Sequence, residues 1–318
     1  MKAMKRFGNV LEIEFCEIKG KCSVRKVKDK TVINIFNKFQ VHRALKSLTC
    51  VSCSGRKDVL FKTVTLINLT RKLLSSLVNK KEIELTKWFF DDSIVRVRFM
   101  DVIYSFYCPK GYDFNIFLNP YFHEYDITSF VCAILQEGDI FIDVGAHGGL
   151  YTILAGKKVG SKGKVISVEP NPENLKFLRL NVKLNKLNDV NIIPKAADEE
   201  KRKIALFYCT NDTALTSALR KAKSSKRIYV ETTTIDHITK TFEFVKMIKI
   251  DTEGYDMHVL KGAERTLLKT LYVVVEQNAS DVISFLSGHG FDVSFSIPSG
   301  YVLATNRYLN AVHIVQKK

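Results

Sequence analysis

The stretch Asp139–Gly149, D-I-F-I-D-V-G-A-H-G-G, limits the fold more than any other part of the chain. A short apolar, β-branched run ends in an acid and then meets three glycines in five positions. Strand, glycine-rich turn and helix in that order are how an open α/β sheet turns backbone N–H groups toward a ligand. Asp143, Gly145 and Gly148 stand as D-x-G-x-x-G, with the acid at the strand end. Gly145 suits the positive φ of a sharp turn, and Gly148 lets a ligand approach the backbone closely.

Downstream, strand-like and helix-like runs alternate as a doubly wound sheet requires. The predicted strands are Asp139–Val144, Lys164–Val168, Val190–Pro194, Val245–Asp251 and Leu271–Glu276, with Phe291–Phe295 and Ala311–Val315 closing the sheet. Helices are predicted over Leu150–Lys158, from Pro172 to about Asn185, over about Asp256–Leu268 and over Ser280–Gly288. Asn171 is a natural N-cap, with Pro172 at the first helical position and Glu173 behind it. Ile204–Cys209 and Arg227–Thr234 read as extra strands flanking a Ser/Thr/Lys-rich loop.

Upstream, Val102–Cys108 alternates like a strand, and the apolar run Ile127–Leu135 has helical length. The aromatic, acidic patch Tyr121–Asp126 before that run is placed to cover a ligand site, with core packing as the alternative for its tyrosines. Residues 1–100 show short alternating runs at 10–15 and 31–36 and a helical leucine stripe from Val64 to Val78. The division is therefore a basic α+β extension at 1–100, a lead-in strand and helix at 101–137, and the main α/β domain at 138–318.

The net charge of +16 is unevenly placed. Residues 1–100 hold 22 Lys and Arg against 9 Asp and Glu, whereas residues 101–150, which contain the glycine turn, hold 1 against 7. A basic extension suits an anionic partner, a phospholipid surface or nucleic acid. No run of about 18 apolar residues exists, so no transmembrane segment is expected. Seven scattered cysteines favour free thiols in a reducing compartment, and a cytoplasmic protein, peripheral to a membrane through its basic extension, is the expectation. Cys50-x-x-Cys53 has ligand spacing, but Cys16 and Cys22 are too loosely spaced to complete a structural zinc site, so no metal is expected.

Glu169 lies at the tip of the second strand, where an acid accepts hydrogen bonds from both hydroxyls of a ribose. That position fits a dinucleotide or S-adenosylmethionine. Asp143, two residues before Gly145, would repel a pyrophosphate but suits the cationic methionine end of S-adenosylmethionine. A second acidic signature, Lys249-Ile250-Asp251-Thr252-Glu253-Gly254, closes the fourth strand. Asp251 and Glu253 should face the crevice outside the strand ends, where a carboxylate orients or deprotonates a substrate hydroxyl. Glu276 and Asp236 either join that cluster or act as a helix cap and a paired charge.

Asp143-Val144-Gly145-Ala146, Glu169-Pro170-Asn171-Pro172-Glu173, Thr234-Ile235-Asp236 and Lys249 through Gly254 together resemble the motifs of the FkbM family of methyltransferases. Val259-Leu260-Lys261-Gly262-Ala263 and Val274-Val275-Glu276 extend the likeness, which runs from about Gly138 to the C-terminus. The resemblance implies a class I, Rossmann-like fold with a seven-stranded, mostly parallel sheet whose last strand is antiparallel. It implies S-adenosylmethionine as cofactor, held by Asp143, Gly145, Ala146, His147, Gly148 and Glu169, and transfer to a hydroxyl of a sugar, glycan or secondary metabolite. Asp198, just past strand three, is placed near the adenine amino group. The sequence departs from the family at His147, usually Asn, and at Asp256, usually Glu. His147 joins Asp251 and Glu253 as a candidate catalytic group, and His258 reads as a helix-face residue. Two other functions fit less well. One is an RNA or DNA methyltransferase using the basic extension, though no N-P-P-Y-like segment follows strand four; the other is a non-catalytic binding protein with a relict cofactor fold.

Overall fold

The computed structural model describes residues 51–52, 93–108, 124–208, 226–276, 280–296 and 300–310. The expected strands near 10–15 and 31–36, the Val64–Val78 stripe, Cys16, Cys22, Cys50 and Cys53, the Ser/Thr/Lys-rich loop and the closing strand Ala311–Val315 lie outside those residues. Strands β1 (Val51–Ser52), β2 (Ser93–Phe99) and β3 (Val102–Cys108) form an antiparallel sheet, followed by helix α1 (Tyr125–Ile134). The main domain then runs β4 (Ile140–Val144), α2 (Leu150–Val159), β5 (Lys164–Val168), α3 (Pro172–Leu184) and β6 (Val190–Ile193). Next come β7 (Ala196–Ala197), β8 (Lys203–Tyr208), β9 (Lys226–Thr233), α4 (Ile235–Ile238) and β10 (Val245–Ile250). The described chain finishes with α5 (Asp256–Lys261), α6 (Glu264–Leu267), β11 (Thr270–Val275), α7 (Ser280–Gly288), β12 (Phe291–Ser296) and β13 (Val302–Asn306).

Among the described residues seven strands make the central sheet, in the order β12-β13-β11-β10-β4-β5-β6. β13 is antiparallel to both its neighbours, while β11, β10, β4, β5 and β6 are mutually parallel. This is the class I methyltransferase fold the resemblance implies. Among the described residues the antiparallel strand of the sheet is β13, Val302–Asn306, a strand that the hydrophobic pattern does not single out.

Alternation along the strands sends successive side chains to opposite faces and divides the core. Phe141, Val165, Met247 and Val274 meet Ile127 and Val131 of α1, Leu135 just after it, and Tyr151, Ala155 and Val159 of α2. Ile142, Ile166, Ile248 and Val273 meet Val259 and Leu260 of α5, Leu267 of α6, and Val282 and Leu286 of α7. Burial on both faces explains why β10, Val245–Ile250, is buried at every position.

Local chemistry sets the helix ends. The Asn171 side chain accepts from the Glu173 N–H with Pro172 at the first helical position, as the sequence predicts. The helix expected over Asp256–Leu268 is two short ones, α5 and α6, broken at Gly262–Ala263. A Cβ on Gly262 would fall 2.0 Å from the Asp198 carbonyl oxygen, so the backbone turns there against the β7 end. The β2–β3 hairpin docks on α3 through two asparagines one turn apart. Asn181 Oδ1 accepts from the Tyr107 N–H at 2.8 Å, Asn185 Oδ1 accepts from the Ser105 N–H at 2.8 Å, and Asn185 Nδ2 donates to the Ser105 carbonyl at 2.6 Å.

Candidate active site at the strand ends

The chain leaves β4 toward β5 on one side and leaves β10 toward β11 on the other, so the C-terminal ends of β4 and β10 flank a topological switch point. Ligands of open α/β sheets bind at such a crevice. Here the two strand ends are in extreme contact: Gly145 has φ of 78°, and a Cβ on it would lie 1.8 Å from the Asp251 carbonyl oxygen. The Asp251 N–H also donates to the Val144 carbonyl at 3.0 Å. His147 (φ 51°) and Gly149 (φ 95°) take the remaining left-handed positions of the turn, and His, like Asn, tolerates that conformation better than most residues. The Gly148 carbonyl accepts from Asn181 Nδ2 at 2.9 Å.

Asp143 is 1% exposed. Its Oδ2 accepts from the Thr152 hydroxyl at 2.6 Å, while its Oδ1 is buried without a hydrogen-bond partner among the described residues. Burial raises its pKa against the opposing pull of Lys249 and Thr152. Glu169 lies at the tip of β5. Its Oε2 accepts from the His147 N–H at 2.8 Å, and its Oε1 accepts from the Asn171 N–H at 2.8 Å and from Asn174 Nδ2 at 3.3 Å. Burial lifts its pKa to about 7, although those three hydrogen bonds favour the anion. Glu169 therefore ties the glycine turn to the start of α3.

Beside the turn, Lys249 is 1% exposed and donates from Nζ to Asp251 Oδ2 at 2.7 Å. Its ammonium sits 4.4 Å from the Tyr151 ring centroid and 5.6 Å from that of Tyr301, within cation–π range. Burial works against that charge, but Asp251, Asp143 and Glu124 outweigh it and hold the ammonium above the ordinary lysine range. Asp251 is likewise desolvated, yet Lys249 and hydrogen bonds from Glu276, Lys249 and Tyr301 keep its carboxyl below the usual range. Glu276 moves the other way, raised by burial and by the charge of Asp251, so its neutral form is favoured beside the Asp251 anion.

Asp251, Glu253 and Glu276 place ligand atoms within 4.8 Å of one another. The spacing is open to a divalent cation, with Lys249 supplying a positive charge at Asp251. Tyr301 Oη lies 2.8 Å from Asp251 Oδ2 and 3.0 Å from Glu124 Oε1, and Tyr151 donates to Glu124 Oε2 at 2.6 Å.

The structure thus brings Asp143, Gly145, Asp251, Glu253 and Glu276 close together at neighbouring strand ends, with the His147 backbone bound to Glu169. Other sequence candidates are occupied elsewhere. Asp198 Oδ2 accepts from Arg202 Nε at 2.8 Å, and its Oδ1 accepts from the Glu199 N–H at 2.8 Å and from Tyr255 at 3.2 Å. Asp236 caps α6, accepting from the Arg265 N–H at 3.1 Å, the Thr266 N–H at 2.7 Å and the Thr266 hydroxyl at 2.6 Å. His258 stacks on Tyr255 with centroids 4.2 Å apart and contacts Glu199. Sequence reasoning missed Lys249, Tyr151 and Tyr301 as site residues. The one usable signal was a lysine inside a strand otherwise apolar enough to be buried on both faces.

The methyltransferase FkbM domain matches residues 143–293. Among curated proteins, a probable cobalt-precorrin-6B C(15)-methyltransferase (decarboxylating) from Sulfurisphaera tokodaii is 28% identical over 138 residues, 41% of this chain and 72% of that protein. Hexuronic acid methyltransferase AglP from Haloferax volcanii is 25% identical over 170 residues, 52% of this chain and 68% of that protein. Among solved structures, methyltransferase FkbM from Methylobacillus flagellatus aligns with a TM-score of 0.36 and 18% identity, covering 54% of this chain and 44% of that one.

The residues at the switch point fit the cofactor of that domain. Asp143 offers a buried, unpartnered carboxylate oxygen, Gly145 leaves no Cβ between the strand ends, and Glu169 stands at the β5 tip. Residues 143–293 match the methyltransferase FkbM domain, and that part of the chain is an S-adenosylmethionine-dependent methyltransferase domain.

Proposed function

We propose that the chain methylates a hydroxyl oxygen of a sugar, glycan or secondary metabolite. The observation that carries this reading is the Asp251 carboxylate, kept ionised by Lys249 at 2.7 Å and partly exposed at the crevice beside Glu253 and Glu276. Asp143, Gly145, Ala146, His147, Gly148 and Glu169 would hold S-adenosylmethionine, which supplies an electrophilic methyl group when bound. Asp251 would orient the acceptor hydroxyl and take its proton, while Glu253 and Glu276 would offer further contacts for neighbouring hydroxyls. The likeness to a hexuronic acid methyltransferase supports a sugar acceptor. The basic excess of residues 1–100 favours an acceptor carrier or surface that is anionic, and the scattered cysteines favour a reducing, cytoplasmic setting.

The test is incubation with methyl-13C cofactor and a panel of sugars, hexuronic acids, sugar nucleotides, total RNA and corrinoid precursors, followed by NMR of the products. An O-methyl resonance on a sugar or metabolite hydroxyl is the expected result. Label on RNA, or on carbon of a corrinoid, would overturn the reading.

A further inference from the structure

We propose that Tyr301 and Glu124 form the outlet for the proton that Asp251 receives, a relay leading away from the crevice. This rests on the reading of Asp251 as the group facing the acceptor hydroxyl.

The geometry is a continuous line of oxygens. Asp251 Oδ2 lies 2.8 Å from Tyr301 Oη, which lies 3.0 Å from Glu124 Oε1, and Glu124 Oε2 lies 2.6 Å from Tyr151 Oη. Tyr151 continues to the Thr128 hydroxyl at 3.4 Å. Three oxygen–oxygen contacts from Asp251 to Tyr151 share the hydroxyl protons of two tyrosines. Tyr301 can donate to one carboxylate but must accept from the other, so the line is complete only when it holds one proton more than the tyrosines bring. A phenol fixed between two carboxylates at hydrogen-bond distance passes a proton from one side to the other without moving heavy atoms.

The step balances as a single proton transfer. The acceptor O–H bond breaks and the proton joins Asp251. Asp251 donates it to the Tyr301 oxygen as the Tyr301 hydroxyl proton moves to Glu124. Asp251 returns to its carboxylate form, Tyr301 regains its hydroxyl and Glu124 carries the proton. Asp251 has reason to release it quickly, because Lys249 and the protonated Glu276 both favour its anion. Tyr301 is 1% exposed, whereas Glu124 is half-buried and able to exchange with water. The groups facing the line are Lys249 and Glu276 at Asp251, Tyr151 at Glu124, Thr128 at Tyr151, and Asp143 behind Lys249. Glu124 and Tyr301 both lie outside the matched domain at 143–293, so the outlet is supplied by flanking parts of this chain. Neither residue touches the acceptor on this account; both are positioning residues acting through Asp251.

The test uses the full chain, without cofactor or acceptor, labelled with 13C at Asp and Glu carboxyls. In the wild type the Asp251 and Glu124 resonances should each report the other's titration. Tyr301→Phe should break that coupling while leaving the Asp251–Glu276 coupling and the amide spectrum in place. Titration of Glu124 that is identical in wild type and Tyr301→Phe overturns the proposal. Should Tyr301→Phe fail to fold, Glu124→Gln provides the second arm: it keeps one acceptor oxygen, turns the other into an NH2 donor and cannot take a proton. A changed Asp251 titration in Glu124→Gln supports the relay, and an unchanged one contradicts it. Once an acceptor is known, Tyr301→Phe should lower kcat by about 10²-fold with KM unchanged. The NMR outcome does not depend on which acceptor, if any, the product assay identifies, so the two readings fail separately.

Discussion

Lys249 and Asp251, two residues apart at the end of β10, form an ion pair of 2.7 Å directly beside the glycine turn, its lysine buried and its aspartate half-buried. Residues i and i+2 of an extended chain point the same way, so the fourth strand delivers its own counter-charge to the carboxylate at its tip. The lysine also sits over Tyr151 and Tyr301 and offsets Asp143.

Removing that ammonium leaves buried carboxylates uncompensated. Lys249→Met, close in volume, should destabilise the fold by about 3 kcal/mol or more, since breaking one side of a buried pair costs on the order of 3–5 kcal/mol. Urea denaturation monitored by circular dichroism checks this. A variant as stable as wild type would mean that the pair contributes little.

Gly145 allows no side chain. Gly145→Ala forces a Cβ toward the Asp251 carbonyl at 1.8 Å and holds alanine at φ 78°. The left-handed conformation alone costs about 1–2 kcal/mol for a non-glycine residue, and relieving the clash must part β4 from β10. A lowered melting temperature together with weaker S-adenosylmethionine binding is expected; thermal melts and calorimetry report the two effects.

Glu169 gives the site a pH dependence near neutrality. Burial raises its folded pKa from 4.5 to about 7, so the folded state holds its proton more tightly than the unfolded chain. Stability from this group is therefore highest below about pH 4.5 and declines as pH rises toward 7. Ligand affinity should run in the opposite direction, because only the carboxylate accepts from two ribose hydroxyls without competing as a donor. S-adenosylmethionine affinity should rise through about pH 7 in wild type and become flat in Glu169→Gln, as calorimetry across pH 5.5 to about 8.5 would reveal.

Asp236 separates structural from catalytic acids. Its three bonds to Arg265 and Thr266 cap α6, so Asp236→Ala should cost about 1–2 kcal/mol in urea unfolding. Cofactor affinity should stay at the wild-type value. Loss of affinity in a fully folded variant would return Asp236 to the site.

The fold was legible where burial made the pattern continuous. Lys164–Val168 and the capped start of α3 match their sequence expectations because two-sided burial leaves an unbroken apolar run and Asn-Pro is an unambiguous helix start. Strand β13 was less legible because V-L-A-T-N is short and mixed, and its place is set by pairing with Tyr272–Val275. β2 carries Arg96 and Arg98 between apolar residues, an alternation that its pairing with β3 confirms as a strand. The placement of Asp143, Gly145, Glu169 and Asp251 at strand ends was readable, because the topology of an open α/β sheet fixes where such residues lie. Glu124, Tyr151 and Tyr301 were not readable as partners. They come from three distant parts of the chain, and their meeting depends on how α1, α2 and the segment before β13 pack on one face.

The most direct measurement is calorimetric titration of S-adenosylmethionine into wild-type protein and into Asp143→Asn and Glu169→Ala, each first shown to be folded. The account expects saturable micromolar binding by wild type and at least about a tenfold loss in each variant, equivalent to about 1.4 kcal/mol. Wild-type affinity in both folded variants would contradict the placement of the cofactor between the β4 turn and the tip of β5.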